Sequence, residues 1–392
     1  MKTQSRLIDQ LPVLFFSELN SRIATIDQAG GDVIRLDIGS PDLHPPDFII
    51  DALKESSLEK NHHGYGSHRG TASLRCAWAQ MYQRIFDVDL DPEPDVLPLL
   101  GTKEGVFHMA VATVERGDIV LVPDPGYVTY SRGAIFAGAE PYYMPLLPDN
   151  DYLPDLEAIP PDVVKRAKLL WLNYPNNPTA AVATLDYFKQ AVEFARRHKL
   201  IVCHDAAYCQ VTFEDGVAPS ILQVDGALDV AVEFNSLSKS HNMAGWRVGA
   251  ILGNRKVLES LFILKTNADS GHFRPILDAA AAALTGDQNW IKERNEIYHQ
   301  RRDIVLRGLH DMGLNADKPL ASMYVWCPIP EGWLSNEFVA AALENCQVSM
   351  TPGTLFGKHG EGFARISLTA DIDRLQVAME RLAYWLSGGN TV

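Results

Sequence analysis

Cysteine is scarce in this 392-residue chain, with five residues at positions 76, 203, 209, 327 and 346. None forms a CxxC pair or falls at a metal-ligand spacing. That excludes a disulfide framework or a zinc ribbon and reads as reduced thiols. Basic charge is also short: 35 Lys and Arg face 49 Asp and Glu, a net charge of −14. The balance disfavours a nucleic-acid surface and leaves no basic tail for anionic membranes. No stretch approaches the roughly eighteen apolar residues of a membrane span. The apolar run Leu11–Phe16 is preceded by Asp9 and Gln10 and soon followed by Glu18 and Asn20, so it does not read as a signal peptide. Repeats and low-complexity linkers are lacking, and the histidines, His62 and His63 included, show no metal-ligand pattern. These absences lead us to expect a cytoplasmic protein that uses neither metal, nucleic acid nor membrane.

What is present is a globular composition, 46% hydrophobic and 21% charged, over a length of roughly two or three domain-sized units. Short apolar runs end in polar punctuation. Asp118–Val122 stops at Pro123-Asp124-Pro125-Gly126, and Ala167–Asn173 stops at Tyr174-Pro175-Asn176-Asn177-Pro178. Leu200–His204 ends at Asp205, Val230–Phe234 at Asn235-Ser236, and Val248–Leu252 at Gly253-Asn254. Helical spacing lies between them, as in Leu185–Lys199 with Phe188, Val192 and Phe194-Ala195. Alternating strands and helices predict an α/β fold with a mainly parallel sheet. Beyond about residue 285 the pattern changes: a long charged helix over 287–312, a segment at 322–326, a helix near 336–346, a strand over 363–368 and a helix over 371–386. We expect a large domain over 40–285 and a smaller α/β domain built from 1–39 and 286–392.

Chemistry concentrates at the strand ends, where open α/β sheets bind ligands. The segment Ser236-Leu237-Ser238-Lys239 is followed by Gly245-Trp246-Arg247. A lysine amine forms a Schiff base with an aldehyde. Small hydroxyls and an arginine fork bind a phosphate dianion. Together they are what a pyridoxal phosphate site requires, and they point to carbanion chemistry at an amino acid α-carbon. Gly101, Thr102 and Lys103 open a predicted helix over 103–113, whose first amides make an anion site. Tyr127, Asn177 and Asp205 stand just past strand ends. Taken singly, each has a plainer reading: a surface lysine, an N-cap aspartate, a turn asparagine, a core tyrosine.

Their order and spacing decide between these readings. The chain resembles a class I/II aminotransferase of the fold type I pyridoxal phosphate superfamily, from Leu36-Asp37-Ile38-Gly39 to Arg365. The segments Gly64-Tyr65-Gly66-Ser67, Gly101–Gly105 and Asn267–Gly271 look like its alanine, aspartate and LL-diaminopimelate aminotransferase branch. The resemblance implies a three-layer large domain and pyridoxal 5′-phosphate on Lys239. It implies Asp205 at the pyridine nitrogen, Tyr208 and Asn177 at the phenolic oxygen, and Tyr127 stacked on the ring. The phosphate falls to Ser236, Ser238, Arg247 and the Gly101–Lys103 turn, with Tyr65 reaching the neighbouring subunit's phosphate in a homodimer. Arg365, Asn177 and Gly39 would hold the substrate carboxylate. Ala180 stands where the family usually has glycine. Arg274 and Lys265 are candidates for a distal carboxylate, Phe15, Phe16, Asn20 and Tyr324 for the pocket wall, and His241 has no role. The implied reaction moves an amino group between an L-amino acid and a 2-oxo acid in ping-pong fashion. A lyase or synthase of the same fold, such as a β-C–S lyase, would share every cofactor residue.

Overall fold

The computed structural model describes residues 15–213 and 216–389, together with Thr3, Ser5, Leu7 and Ile8. Most of the apolar run Leu11–Phe16 thus lies outside the described residues; its last two positions open a helix, Phe15–Gln28. In chain order the strands are β1 (Ile34–Arg35), β2 (Val96–Leu99), β3 (Ile119–Asp124), β4 (Glu140–Pro145), β5 (Ala167–Asn173), β6 (Ile201–Asp205), β7 (Ala231–Ser236), β8 (Gly249–Gly253), β9 (Tyr324–Pro328), β10 (Val348–Ser349), β11 (Thr351–Pro352) and β12 (Phe363–Ser367).

Seven of them form one sheet in the order β2-β8-β7-β6-β5-β3-β4. Only β8 runs against its neighbours β2 and β7; the other pairings are parallel. The inner strands are apolar at nearly every position because both sheet faces are covered. Alternation sorts their side chains. Leu121, Leu170, Leu172 and Val202 face one core with Trp78, Phe188, Val192 and Leu277. Val120, Val122, Leu169, Trp171 and Cys203 face the other with Val106, Met109, Leu258 and Leu261. The result is a mainly parallel mixed sheet between two helical layers, as expected of the α/β class. The covering helices begin and end where local chemistry directs. Helix Leu185–His198 starts with the Thr184 hydroxyl accepting from Tyr187 N and ends at Lys199, φ 58°. Truncating its fully buried Phe188 to alanine would remove about 3–5 kcal/mol of stability.

Ala167–Asn173 appears as expected and the other predicted strands with boundaries shifted by one or two residues, a shift that matters at Asp205. It is the last residue of β6 rather than the first beyond it. Register then aligns Asn173 with Asp205 and Asp205 with Phe234, while Ser236 pairs with Gly249. Strands β2 and β4 were not anticipated. Edge strand β4 is half exposed, with Pro141, Tyr142 and Tyr143 in its middle, and lacks a buried apolar run.

The later part of the chain forms the antiparallel sheet β11-β12-β9 under helices Asn289–Asp311, Ser335–Cys346 and Ile372–Leu386. Its core takes in Ile34 and Leu36 from the start of the chain, and β1 pairs in parallel with β10. Leu19 and Ile23 pack beside Leu343. Tyr208 and Tyr298 belong to this core too, so the strand ends of the large sheet abut it. The cavity described next lies at that junction. Among the described residues no helix is long and apolar enough to cross a membrane.

Candidate active site

A cavity of about 670 Å³ opens over the carboxyl ends of β5, β6 and β7, and Asp205, Lys239, Arg247 and Arg365 all line it. Asp205 forms its floor. The carboxylate is buried, accepts from Tyr130 Oη at 2.8 Å and more weakly from Ala207 N at 3.3 Å. Burial raises its pKa, opposed by these donors and by the positive charge of Lys239. Tyr130 is itself fixed by stacking on Trp171, with centroids 4.7 Å apart and planes 16° apart. Asn173 Nδ2 donates to the Asp205 carbonyl at 2.8 Å, and its Oδ1 accepts from Asn177 N at 2.9 Å. Asp205 is therefore a rigid buried carboxylate held by neutral donors, suited to a cationic N–H partner.

Lys239 projects from the short helical turn Leu237–Ser240 that follows β7. Its Nζ donates to the Gly39 carbonyl. Desolvation lowers its pKa, and the cations Arg365 and Arg247 add to this, against the pull of Tyr324 and Asp205. A lysine so placed loses its proton more readily than a surface lysine and offers a nucleophilic amine.

Arg365 lies on β12, 4% exposed. Its Nη1 donates to Asn177 Oδ1 at 2.9 Å and its Nη2 to the Asp37 carbonyl at 2.9 Å. The guanidinium lies over the Tyr324 ring, 4.1 Å from its centroid. Its Nε is buried without a partner among the described residues. Every acceptor around this fork is neutral, so its charge is left for an anionic ligand. Tyr324 Oη meets Tyr208 Oη at 2.9 Å, and the two are buried. Burial pushes the Tyr208 pKa up. For Tyr324 burial also acts upward, but Arg365 and Lys239 outweigh it and hold the phenol below its usual range. A Cβ on Gly39 would come within 2.8 Å of Tyr324 Oη, so glycine is required for this approach.

The far end is an anion cradle. Thr102 begins helix Thr102–Thr113, with Gly101 ahead of it at φ 76°. A Cβ on Gly101 would overlap the Arg247 guanidinium. Arg247 takes φ 59° and is held by His272 Nε2 on its carbonyl at 2.8 Å and by its own Nη1 on the Ala244 carbonyl at 2.8 Å. Ser236 and Ser238 line the same end, with Ser238 N donating to Ser236 Oγ at 3.2 Å. Lys103 also lines the cavity, its side chain exposed. Tyr127 forms the wall beside Tyr130, edge-on at 5.7 Å.

One cavity thus gathers Gly39, Thr102, Lys103, Tyr127, Asn177, Asp205, Tyr208, Ser236, Ser238, Lys239, Arg247 and Arg365, with Gly101 behind Arg247. Tyr65 is not among them; it is 95% exposed on this chain. Of the pocket-wall candidates Phe16 and Tyr324 line the cavity, while Phe15 packs near Leu19 and Asn20 contacts Arg35 instead. Lys265 is buried against Asp269 at 2.7 Å, and Arg274 faces Asp278 at 3.5 Å; neither lines the cavity. His241 is buried between Ser240 Oγ and Gln288 Oε1, with burial holding its pKa down to about 3. Ala180 adopts φ 61°, the conformation that favours glycine. Sequence reasoning missed Tyr130, Asn173, Arg35 and Asp37, which also line the cavity. The signal for Asn173 was its place at the end of an apolar strand. Tyr130 sits in a helix and gave none.

A nucleophilic lysine between a buried carboxylate and an arginine fork, with an anion cradle at the strand ends of an α/β sheet, defines an enzyme of amine chemistry on carboxylate-bearing substrates. The chain belongs to the aminotransferases of class I and II, whose family profile matches residues 31–382. It is 47% identical over 379 residues to the LL-diaminopimelate aminotransferase of Moorella thermoacetica, covering 97% of each chain. Among solved structures, substrate-bound BacF from Bacillus subtilis superposes with TM-score 0.95 at 35% identity, covering 98% of both chains. A probable N-succinyldiaminopimelate aminotransferase from Thermus thermophilus gives TM-score 0.90 at 35% identity, over 94% of this chain and 99% of that one.

Proposed function

We propose that this chain is a pyridoxal 5′-phosphate-dependent aminotransferase of the cytoplasm, exchanging the amino group of an LL-diaminopimelate-like L-amino acid with a 2-oxo acid. The observation that carries the reading is Lys239, of lowered pKa, sharing one cavity with Asp205 and Arg365. The residues present fit the cofactor. Gly101 leaves room for a guanidinium at a helix start, and among the described residues the Asp205 carboxylate accepts only from Tyr130 and Ala207 and Arg365 Nε has no partner. Bound pyridoxal phosphate supplies an aldehyde for amines and a cationic ring that takes up the electron pair left at the α-carbon.

The residues divide the remaining work. Arg247, Ser236, Ser238 and the amides after Gly101 hold the phosphate, Lys103 among them. Asp205 keeps the ring nitrogen protonated, with Tyr130 and Asn173 fixing its orientation. Tyr127 stacks on the ring. Tyr208 and Asn177 donate to the phenolic oxygen. Arg365 grips the α-carboxylate, aided by Asn177 and Gly39. Lys239 would act as the base that takes the α-proton of the substrate and as the acid that returns it to the bound group. Tyr65, exposed on this chain, serves the phosphate of a second subunit, which makes the working unit a homodimer. Residues 40–285 act as the large domain, and the smaller one, from 1–39 and 286–392, closes over substrate.

A visible absorption scan tests this. Purified protein loaded with pyridoxal phosphate receives single L-amino acids without any oxo acid. Loss of the visible band and growth of a near-ultraviolet pyridoxamine band establish the half-reaction and name the donor. A visible band that persists while the amino acid is consumed indicates a lyase. No visible band after loading overturns the assignment of Lys239.

A further inference from the structure

The cavity is lined by two cations whose side chains the reaction above does not use, Lys103 and Arg35. Lys239 handles the amine, Arg247 and the neighbouring Lys103 belong to the phosphate end, and Arg365 takes the α-carboxylate. Arg35 remains, and it lines the same cavity. It sits on β1, two residues before Asp37, so the two side chains share one face of that extended segment.

Asp37 ties the two arginines together. Its carboxylate accepts from Arg35 Nε and Nη2, both at 2.7 Å, while its main-chain carbonyl accepts from Arg365 Nη2 at 2.9 Å. Arg35 Nη2 also donates to Asn20 Oδ1 at 2.9 Å. The Nε and Nη2 hydrogens of Arg35 are thereby engaged. Its Nη1, with two N–H donors, has no hydrogen-bond partner among the described residues, and the side chain is 30% exposed. Asp37 is spent on the inner edge and on the Ser349 hydroxyl, and is 1% exposed. The fork is therefore pre-oriented, so a ligand that meets its free edge does not have to freeze a flexible side chain.

We propose that Arg35 is a specificity-determining residue that binds the second, side-chain carboxylate of a dicarboxylic amino acid whose α-carboxylate is on Arg365. This rests on the aminotransferase reading above and names the residue that reads the substrate's second carboxylate. Lys265 and Arg274 do not compete for the task, since neither lines the cavity.

The test uses the pyridoxal phosphate-loaded enzyme and two unreactive ligands of equal carbon count, pimelate and heptanoate. Their affinities are measured by calorimetry for wild type, Arg35→Gln and Arg35→Lys. A charged hydrogen-bonded contact predicts that wild type prefers pimelate by about ten- to a hundredfold. Arg35→Gln should bring that ratio close to one while heptanoate affinity changes less than about threefold, and Arg35→Lys should retain part of the preference. A ratio kept in Arg35→Gln overturns the inference. Equal weakening of both ligands also overturns it, because that is the signature of a structural effect through Asp37 on Arg365. If wild type converts monocarboxylic amino acids but shows no preference for pimelate, Arg35 is not the anchor and the aminotransferase reading stands. If no amino acid yields the pyridoxamine form, both fall.

Discussion

Replacing Tyr130 by phenylalanine isolates the support of Asp205. The change removes one hydroxyl and keeps the ring stacked on Trp171, so no cavity opens. The lost hydrogen bond, at 2.8 Å, is the shorter of the two side-chain contacts that Asp205 accepts, the other being 3.3 Å from Ala207 N. A hydrogen bond to a charged group contributes about 1.5–3 kcal/mol, and one between neutral groups about 0.5–1.5 kcal/mol. Because burial already raises the Asp205 pKa, protonation of this group favours the folded state. Its contribution is greatest at low pH and is lost as pH rises through the folded-state pKa. Tyr130→Phe should therefore lower the stability of cofactor-free protein by about 1.5–3 kcal/mol at pH 8, shrinking towards about 1 kcal/mol in acid once Asp205 is protonated. In loaded protein a cationic ring N–H gives Asp205 a new donor, and the deficit at pH 8 should shrink as well. Urea unfolding of free and loaded protein, at both pH values and one protein concentration, measures all four. Deficits of equal size in every condition would show that Tyr130 only packs, and the assignment of Asp205 to the ring nitrogen would lose its electrostatic basis.

Arg365→Lys keeps the charge but loses the fork that reaches Asn177 and Asp37 together; kcat/KM should fall roughly a hundredfold for every amino acid tested, and a loss limited to one substrate contradicts its role. Gly101→Ala places a Cβ against the Arg247 guanidinium at φ 76°, a strain of about 1–3 kcal/mol; fluorescence titration should show pyridoxal phosphate bound at least about tenfold more weakly. His241, neutral in the fold with its pKa near 3 against an ordinary value of 6.5, contributes stability that is complete above pH 6.5 and lost progressively as pH falls towards 3. His241→Asn should therefore flatten the pH dependence of melting between pH 7 and 4.5, and an unchanged slope refutes the assignment.

Much of the site was legible because its chemistry is local. Lys239 with Ser236 and Ser238 occupies one turn, Asn177 one loop and Asp205 one strand end, and each is marked by an apolar run breaking into polar residues. The residues that escaped are those whose role depends on a distant partner. Tyr130 looks like any amphipathic helix tyrosine until β6 places Asp205 beside it, 75 positions later in sequence. Lys265, read either as a distal-carboxylate candidate or as a structural charge, is buried against Asp269 one turn on. Strand β4 was missed because an edge strand needs no continuous apolar run.

From the residues alone came the alternation of strands and helices, the α/β class and the set of strand-end groups able to handle an amine, a phosphate and a carboxylate. Period-two and helical patterns record which faces are buried, and turn residues record where each segment stops; both are written within a few residues. Strand order, register and the insertion of Ile34 and Leu36 into the core of the C-terminal sheets are not written locally. They follow from which arrangement buries all the apolar faces at once. That arrangement aligns Asn173 with Asp205, sets Arg365 over Tyr324 and brings Arg35 to the cavity wall.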